Sequence, residues 1–429
     1  MAERLLKDSG IEWIGDIPKS WNVLRNKYNF TLSKDIVGPK CNSTQLLSLT
    51  KNGIKAITEE EQTGKVPASF ATYQKVKKDD IVMCLFDLDV SAVFAGISKY
   101  DGMISPAYKC FKCNKNLDPR YIDYYFRTVF VDRKYKRYSK NVRYSLSADE
   151  FMTLPIIIPE KEEQTKIANY LDSKCNEIEN IIKDIEHQIE TLEEYRESLI
   201  AETVTNGLNS NVKTKNSGIK WVKEIPNHWN ILRVKYISNV IEKGNGITKE
   251  QVYPDGDIQC VRYGEIYSKY NNQFINCVSK TKKQEITTKK YFQNGDILCA
   301  GTGELVEEIG KSIVYLGNDN CLAGGDIVVI KHKQEPRFFN YALNSQYSQA
   351  QKSYSKSKLK VVHISGFEIG NVKLAVPNIA EQKEIADYLD NKYFEIDSII
   401  LEKKKQLDTL GEYKKSLIYE YVTGKKEVA

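Results

Sequence analysis

Two short stretches of this chain gather cations, aromatics and small hydrogen-bonding side chains densely enough to grip a polyanion. Asp132-Arg-Lys-Tyr-Lys-Arg-Tyr-Ser-Lys-Asn-Val-Arg-Tyr144 sets six bases (Arg133, Lys134, Lys136, Arg137, Lys140, Arg143) against one acid and closes on Tyr144. Gln351-Lys-Ser-Tyr-Ser-Lys-Ser-Lys-Leu-Lys-Val-Val-His363 carries Lys352, Lys356, Lys358 and Lys360 and ends on His363. Arg and Lys neutralise phosphates, arginine can hold guanine bidentately, and Tyr, Ser and Asn add hydrogen bonds. A single charge run is most often a solvated face. These two stand at the same place in the two halves of an internal duplication, and that shared placement favours a shared task. Lys75, Lys77 and Lys78, and Lys280, Lys282, Lys283, Lys289 and Lys290, form looser groups of the same kind.

Catalytic chemistry has no comparable anchor. Cys110-Phe-Lys-Cys113 is a lone pair where structural zinc needs four ligands, and the four histidines are scattered. Gly310-Lys311-Ser312 lacks the glycine that a phosphate-cradling loop needs five residues earlier, where Leu305 stands. Gly301-Thr-Gly303 lacks the third glycine of a dinucleotide site and reads as a tight turn between strands. Asp118-Pro-Arg-Tyr121 lacks the second proline of the Asp-Pro-Pro-Tyr loop of DNA methyltransferases; it reads as a helix start with proline in the first turn. These absences predict a protein without an active site, metal or cofactor of its own.

The elements that would position the basic segments come in two copies. Residues 10–28 and 218–236 are identical at 11 of 19 positions, and they contain all four tryptophans of the chain. Residues 163–205 match 381–423 at 23 of 43 positions; both copies carry EQxxIAxYLDxK and end on EYxxSLIxExVT. The segments between, about 29–158 and 237–376, show little similarity. A unit with a shared start and end has been duplicated while its middle diverged.

In the first end segment Leu171, Ile178, Ile185, Leu192 and Leu199 recur every seven residues, with Ile181, Ile182, Ile189 and Tyr195 in the intervening steps. In the second, Leu389, Ile396, Leu410 and Leu417 do the same, with Ile399, Ile400, Leu407 and Tyr413 between and Lys403 interrupting the seam. Sustained heptads predict two long helices with a coiled-coil seam, starting after Pro159 and Pro377. At a rise of about 1.5 Å per residue each is roughly 65–70 Å long. The polar linker 206–217 leads directly into the second copy, so the helices pair most simply by running antiparallel, with a module at each end of the rod. Within the middles, runs such as Asp80-Ile-Val-Met-Cys-Leu-Phe and Asp326-Ile-Val-Val-Ile predict strands, and 119–130 and 336–350 predict short helices: an α+β module.

The 429 residues carry a net charge of +6. Residues 160–206 hold 13 acids and 5 bases, and 378–429 hold 11 and 9; removing −8 and −2 leaves +16 on the other 330 residues. Basic modules on acidic rods are the electrostatic footprint of a nucleic-acid binder. A structural coiled-coil protein would not explain that concentration, and a self-contained DNA enzyme would need a cofactor or metal motif. No run of 18 apolar residues, no signal sequence at the N-terminus and nine scattered cysteines point to a soluble, reducing, cytoplasmic setting without a membrane.

The order of these motifs resembles the specificity subunit of type I restriction-modification systems. Gly10-Ile-Glu-Trp-Ile-Gly-Asp-Ile-Pro-Lys-Ser-Trp21, Gly102-Met-Ile-Ser-Pro-Ala-Tyr108 and Pro159-Glu-Lys-Glu-Glu-Gln164-Thr-Lys-Ile-Ala-Asn-Tyr-Leu-Asp172 carry the likeness in the first half. Gly218-Ile-Lys-Trp221, Asp296-Ile-Leu-Cys-Ala-Gly-Thr-Gly303, Ala323-Gly-Gly-Asp-Ile-Val-Val-Ile330 and Glu381-Gln-Lys-Glu-Ile-Ala-Asp-Tyr-Leu-Asp390 carry it in the second. The resemblance implies two pseudo-symmetric α/β target recognition domains, 1–158 and 218–376. Two conserved spacer helices, 159–206 and 377–429, would separate them, with a linker at 207–217. It implies a non-catalytic chain that reads an asymmetric, bipartite site on double-stranded DNA. Two modification (methyltransferase) subunits would use S-adenosylmethionine on adenine N6, and two restriction (translocase and nuclease) subunits would use ATP and Mg2+. The acidic rods and the framing segments would dock them.

Overall fold

The computed structural model describes residues 4–51, 53–62, 67–89, 95–139, 144–354, 356 and 361–428. The chain divides into two compact units, Met1–Ile185 with Lys404–Ala429, and Glu186–Lys403. Both divisions fall inside long helices, so each unit contains the start of one helix and the end of the other.

The diverged middles share one topology. In the first unit eight strands follow in order: Phe30–Ser33, Leu46–Thr50, Gly53–Ile57, Gln74–Val76, Ile81–Met83, Ala95–Ile97, Gly102–Ile104 and Lys109–Cys113. One sheet has the order first–eighth–fifth–sixth and the other third–second–seventh–fourth. In the second unit the eight are Ser238–Lys243, Ile258–Val261, Ser279–Thr281, Tyr291–Phe292, Ile297–Ala300, Ser312–Tyr315, Cys321–Ala323 and Ile327–His332. They take the same two orders, with the second and seventh strands parallel in both units. The second unit inserts a helix, Tyr263–Ser268, and a strand, Gln273–Phe274, between its second and third strands, and a short strand, Thr302–Gly303, between its fifth and sixth. Strand pairing asks for apolar residues on the buried face of each short strand, and many sequences satisfy that. The fold therefore outlived the similarity. The helices expected over 119–130 and 336–350 are Pro119–Val131, and Pro336–Asn344 with Gln346–Ser353. Thr214–Ser217, expected in the linker, lie in the strand Thr214–Ile219.

The repeated sequence ends build the same clamp twice. Trp21 is buried and its indole donates to Glu163 Oε2 at 2.9 Å; Trp229 donates to Glu381 Oε1 at 3.0 Å. Gln164 accepts from Asp118 N at 2.8 Å and donates to Pro159 O at 2.9 Å, while Gln382 accepts from Glu335 N at 3.0 Å and donates to Pro377 O at 2.9 Å. Tyr124 donates to Asp172 and Tyr341 to Asp390, both at 2.8 Å. Arg120 joins Asp118 (2.9 Å) to Asp172 (2.8 Å), and Arg337 joins Glu335 (2.8 Å) to Asp390 (2.7 Å). The Glu, Gln and Asp of EQxxIAxYLDxK are thus spaced to satisfy buried donors of the module that each helix carries. Asp118-Pro-Arg-Tyr121 is the expected helix start, with Asp118 as its cap.

The long helices are Lys161–Asn206 and Ile379–Val422. In the first unit Tyr170 meets Tyr421 (ring centroids 4.5 Å) and Glu179 pairs with Lys414 (2.6 Å). In the second, Gln188 accepts from Lys403, and Arg196 pairs with Asp397 at 2.6 Å. Advancing along one helix means retreating along the other, so the pairing is antiparallel in each unit. Leu171, Ile178, Ile185, Leu389, Ile396 and Leu417 are buried, and Leu192, Leu199 and Leu410 are half-buried. The alternate seam positions are Cys175, Ile182, Ile189 and Arg196 on one helix and Tyr393, Ile400, Leu407 and Lys414 on the other, all at least half-buried. Ile181, Tyr195, Ile399 and Tyr413, expected in the seam, are instead 46%, 53%, 45% and 54% exposed. Each stands one residue before a true seam position, and two paired helices bury only one such stripe apiece. Each helix stops at a glycine in the left-handed region, Gly207 and Gly424, both with φ 73°. A Cβ on Gly424 would lie 2.4 Å from Pro18 Cδ, so the glycine also permits close approach to the frame.

Candidate nucleic-acid interface

In the first unit the helix Pro119–Val131 delivers the chain into the basic segment through Arg133, whose φ of 54° turns it sharply. The 3-10 turn Lys134–Tyr138 follows. Tyr135 is buried among Phe126, Phe130, Tyr138 and Phe151 and anchors the turn, so its neighbours stay at the surface. Arg133 and Arg137 are exposed, and Lys134 and Lys136 half-buried. Lys134 Nζ lies 3.4 Å from Asp132 and 5.9 Å over Trp13. Lys136 Nζ stacks 4.3 Å over Tyr144, and Arg137 pairs with Glu12 at 2.8 Å. Such exposed pairs are worth about 0.2–1 kcal/mol, so a phosphate can replace the acid at little cost. Lys140 and Arg143 lie outside the described residues.

The second basic segment holds the equivalent place. Both segments follow the helix after the eighth strand, and both lead into a short helix with a Ser/Glu capping box, Ala148–Thr153 (Ser147, Glu150) and Gly366–Asn371 (Ser365, Glu368). Its composition misled in one respect. Lys352, expected at the surface, is only 3% exposed; its Nζ donates to Gly310 O (2.8 Å) and Leu343 O (3.0 Å), and burial pushes its pKa down to about 8. It ties a turn to a helix and cannot reach a ligand. Lys356 is held by Glu368 and by His363 O at 2.8 Å. His363 is exposed, its Nδ1 3.1 Å from Thr302 Oγ1. Tyr354 is 63% exposed and meets Trp221 edge-on at 5.8 Å, with Lys220 over both rings. Lys358 and Lys360 lie outside the described residues.

The looser lysine groups attach to the second sheet of each unit. Lys75 is in its fourth strand, and Lys77 and Lys78 line an open cleft of about 380 Å³ with Asp79, Asp80, Lys112 and Lys115. In the other unit Lys280, Lys283 and Lys289 are exposed. Lys282 stacks over Tyr253 at 4.6 Å, and Lys290 donates to Lys243 O at 2.9 Å.

The remaining motifs have structural explanations. Cys110 and Cys113 belong to one strand, Lys109–Cys113, where residues three apart face opposite sides, and burial pushes both thiols up to about 12. Gly301 is not in a turn; it leads into the strand Thr302–Gly303, which pairs with Val362–His363. Gly310 turns the chain beside Lys352, and Ser312 opens a strand. Among the described residues no group of three or more His, Cys, Asp or Glu is gathered as a metal ion requires, and no helix is long and apolar enough to cross a membrane. The arginines of the clamp, Arg120 and Arg337, escaped the sequence reading. The signal was present as Asp118-Pro-Arg and Glu335-Pro-Arg, two like tripeptides before equivalent helices.

Comparison with known proteins converges on one group. A family described as type I restriction modification DNA specificity domain matches residues 34–191 and again 226–409. The chain is 22% identical over 366 residues to the type I restriction enzyme MjaVIII specificity subunit of Methanocaldococcus jannaschii, across 82% of this chain and 80% of that protein. A chain from a type I R-M system, solved for its complex assembly and conformational transition, shares the fold with a TM-score of 0.71 and 13% identity over 95% of this chain and 98% of that one. The HsdS subunit from Thermoanaerobacter tengcongensis has a TM-score of 0.52 and 13% identity, over 96% and 98% of the two chains.

Proposed function

Because the chain belongs to the type I restriction-modification DNA specificity family, we propose that each of its units reads one half of a split, asymmetric DNA site. The chain is the sequence-specificity component of such a system, and it positions partner subunits for methylation and cleavage. The observation that carries the split reading is the pair of units with one topology, one clamp and different basic segments. Equal frames carrying unequal reading segments suit two unlike half-sites. The recognition domains are taken as 1–158 and 218–376, with the long helices as spacer.

Arg133, Lys134, Lys136, Arg137, Lys140, Arg143 and Tyr144 are assigned to one half-site. Lys356, Lys358, Lys360 and His363 are assigned to the other, and the sheet lysines to flanking phosphates. The partners are two modification subunits, which bring S-adenosylmethionine and flip the adenine, and two restriction subunits, which bring ATP and Mg2+. The exposed Ile181 and Tyr195, repeated as Ile399 and Tyr413 at the same spacing, offer each long helix an apolar stripe for a partner helix.

The test is DNA affinity against salt for the full chain. Several phosphate contacts make log K fall steeply with log salt. Replacing Arg133, Lys134, Lys136 and Arg137 by Ala is expected to weaken binding and flatten that slope; unchanged affinity and slope would remove this segment from the interface.

A further inference from the structure

The internal duplication distinguishes residues kept for the fold from residues kept for another reason. Of the frame positions identical in both copies, Ile17/Ile225, Pro18/Pro226 and Trp21/Trp229 are buried, and Gly10/Gly218 have φ of 65° and 67°. Packing and backbone account for all of these. They do not account for Arg25, Lys27 and Tyr28, or for Arg233, Lys235 and Tyr236. All six are exposed, Tyr28 to 61% and Tyr236 to 70%. In each copy the lysine ammonium lies over the adjoining tyrosine ring, 5.0 and 5.3 Å from its centroid. Surface residues under no constraint drift, as the middles of these same two copies have done. An identical exposed set at identical positions calls for a ligand that is the same at both places.

Location narrows the choice. The turn Asn26–Tyr28 packs against the helix Ala148–Thr153, with Asn26 Nδ2 donating to Phe151 O at 2.9 Å. The turn Val234–Ile237 packs against Gly366–Asn371, with Arg233 Nη1 3.4 Å from Asn371 Oδ1. Those two helices are the ones that directly follow the basic segments. In each unit, therefore, an invariant cation–aromatic set stands one element away from a segment that differs between the units.

We propose that Arg25, Lys27 and Tyr28, and Arg233, Lys235 and Tyr236, are sequence-independent contacts to the DNA phosphate backbone beside each half-site. The proposal rests on the DNA-recognition reading above and divides its labour. Phosphates are alike whatever the sequence, so their contacts can stay fixed, whereas bases differ between half-sites and their contacts must differ too. The tyrosine face holds the lysine ammonium in place, and its hydroxyl can donate to a phosphate oxygen.

The experiment measures affinity of the full chain for its cognate duplex and for a scrambled one, between about 50 and 300 mM salt. The variants are the triple Arg25→Ala/Lys27→Ala/Tyr28→Ala, its counterpart at Arg233, Lys235 and Tyr236, and the milder single Lys27→Gln. Each triple is expected to weaken both duplexes by the same factor, leaving the specificity ratio intact, and to lower the log–log slope by about 2, at about 0.9 per lost phosphate contact. The single should lower it by about 1. Thermal midpoints should hold, because the residues are exposed. A changed specificity ratio would make the set base-reading and overturn the proposal. An unchanged slope combined with failed assembly on the modification subunit would make it a protein-docking surface. No effect on either would make it solvated. A wild-type chain with no salt dependence would instead sink the DNA reading itself.

Discussion

Replacing Arg196 by Met removes a cation from the seam of the long helices and keeps only an unbranched apolar stem. Arg196 sits 2.6 Å from Asp397 and 4.8 Å over the Tyr393 ring, with the paired side chains 21% and 35% exposed. The same pair recurs 218 residues on: Lys414, the repeat of Arg196, holds Glu179, the repeat of Asp397, at 2.6 Å, with exposures of 22% and 48%. Exposed ion pairs contribute about 0.2–1 kcal/mol and hydrogen bonds to charged groups about 1.5–3. The better-shielded pair, with a planar guanidinium stacked on an aromatic ring, should couple by about 1–2 kcal/mol. The lysine pair should couple by about 0.5–1 kcal/mol. A single substitution is ambiguous, since Met at a seam position adds apolar contact while it strands the aspartate. A double-mutant cycle resolves this: Arg196→Met, Asp397→Asn and both together, then Lys414→Met, Glu179→Gln and both, each followed by urea unfolding. Because Arg196 and Lys414 are polar positions within an apolar stripe, they also fix helix register. Couplings below about 0.3 kcal/mol at both sites, or a stronger lysine pair, would refute the reasoning.

Two glycines, Gly411 inside the second long helix and Gly424 just past its end, should respond oppositely to alanine. Gly411 meets nothing within 4 Å of an added Cβ, so Gly411→Ala should stabilise by about 0.5–1 kcal/mol, whereas Gly424→Ala, at φ 73° and against Pro18, should destabilise by more than about 1 kcal/mol; thermal melts that fail to diverge would contradict this. Burial holds His332 down to about 4 from 6.5. The unfolded chain therefore gains a proton across that window that the native chain does not, and stability falls as pH drops through it, by up to about 3 kcal/mol. His332→Leu should flatten that part of the stability profile, and an equally steep profile would count against it. Lys352→Met should lower the melting temperature while leaving the salt slope of DNA binding unchanged; a flatter slope would return Lys352 to the interface. If the long helices set the gap between half-sites, inserting one heptad into either should change that spacing or abolish recognition; unchanged spacing would remove that role.

What the sequence disclosed follows from what is local. The heptad leucines and isoleucines, the helix start at Asp118-Pro119 and the strands at Ile81–Met83 and Ile327–His332 depend on nearby residues, and all stand where the pattern puts them. The alternate seam is masked in the sequence because Arg196 and Lys414 are polar while the exposed Tyr195 and Tyr413 beside them are apolar. Lys352 looked like its neighbours in a basic run, and only two carbonyls distant in sequence reveal it as internal. The strand orders join residues far apart along the chain, beyond what any local pattern encodes. The clamp is half legible: its Glu, Gln, Asp and Trp are visible as a repeat, but Arg120 and Arg337, which hold Asp172 and Asp390, lie in diverged segments where only a short tripeptide is alike.

The central claim, that two unlike units read two unlike half-sites, is tested most directly in a host carrying this chain with its modification subunit. Mapping N6-methyladenine across the genome by long-read sequencing should reveal one split motif, with different half-sites, unspecified bases between them and one modified adenine on each strand. A chain-dependent motif that is continuous or palindromic, or no chain-dependent methylation from a soluble complex, would contradict the account.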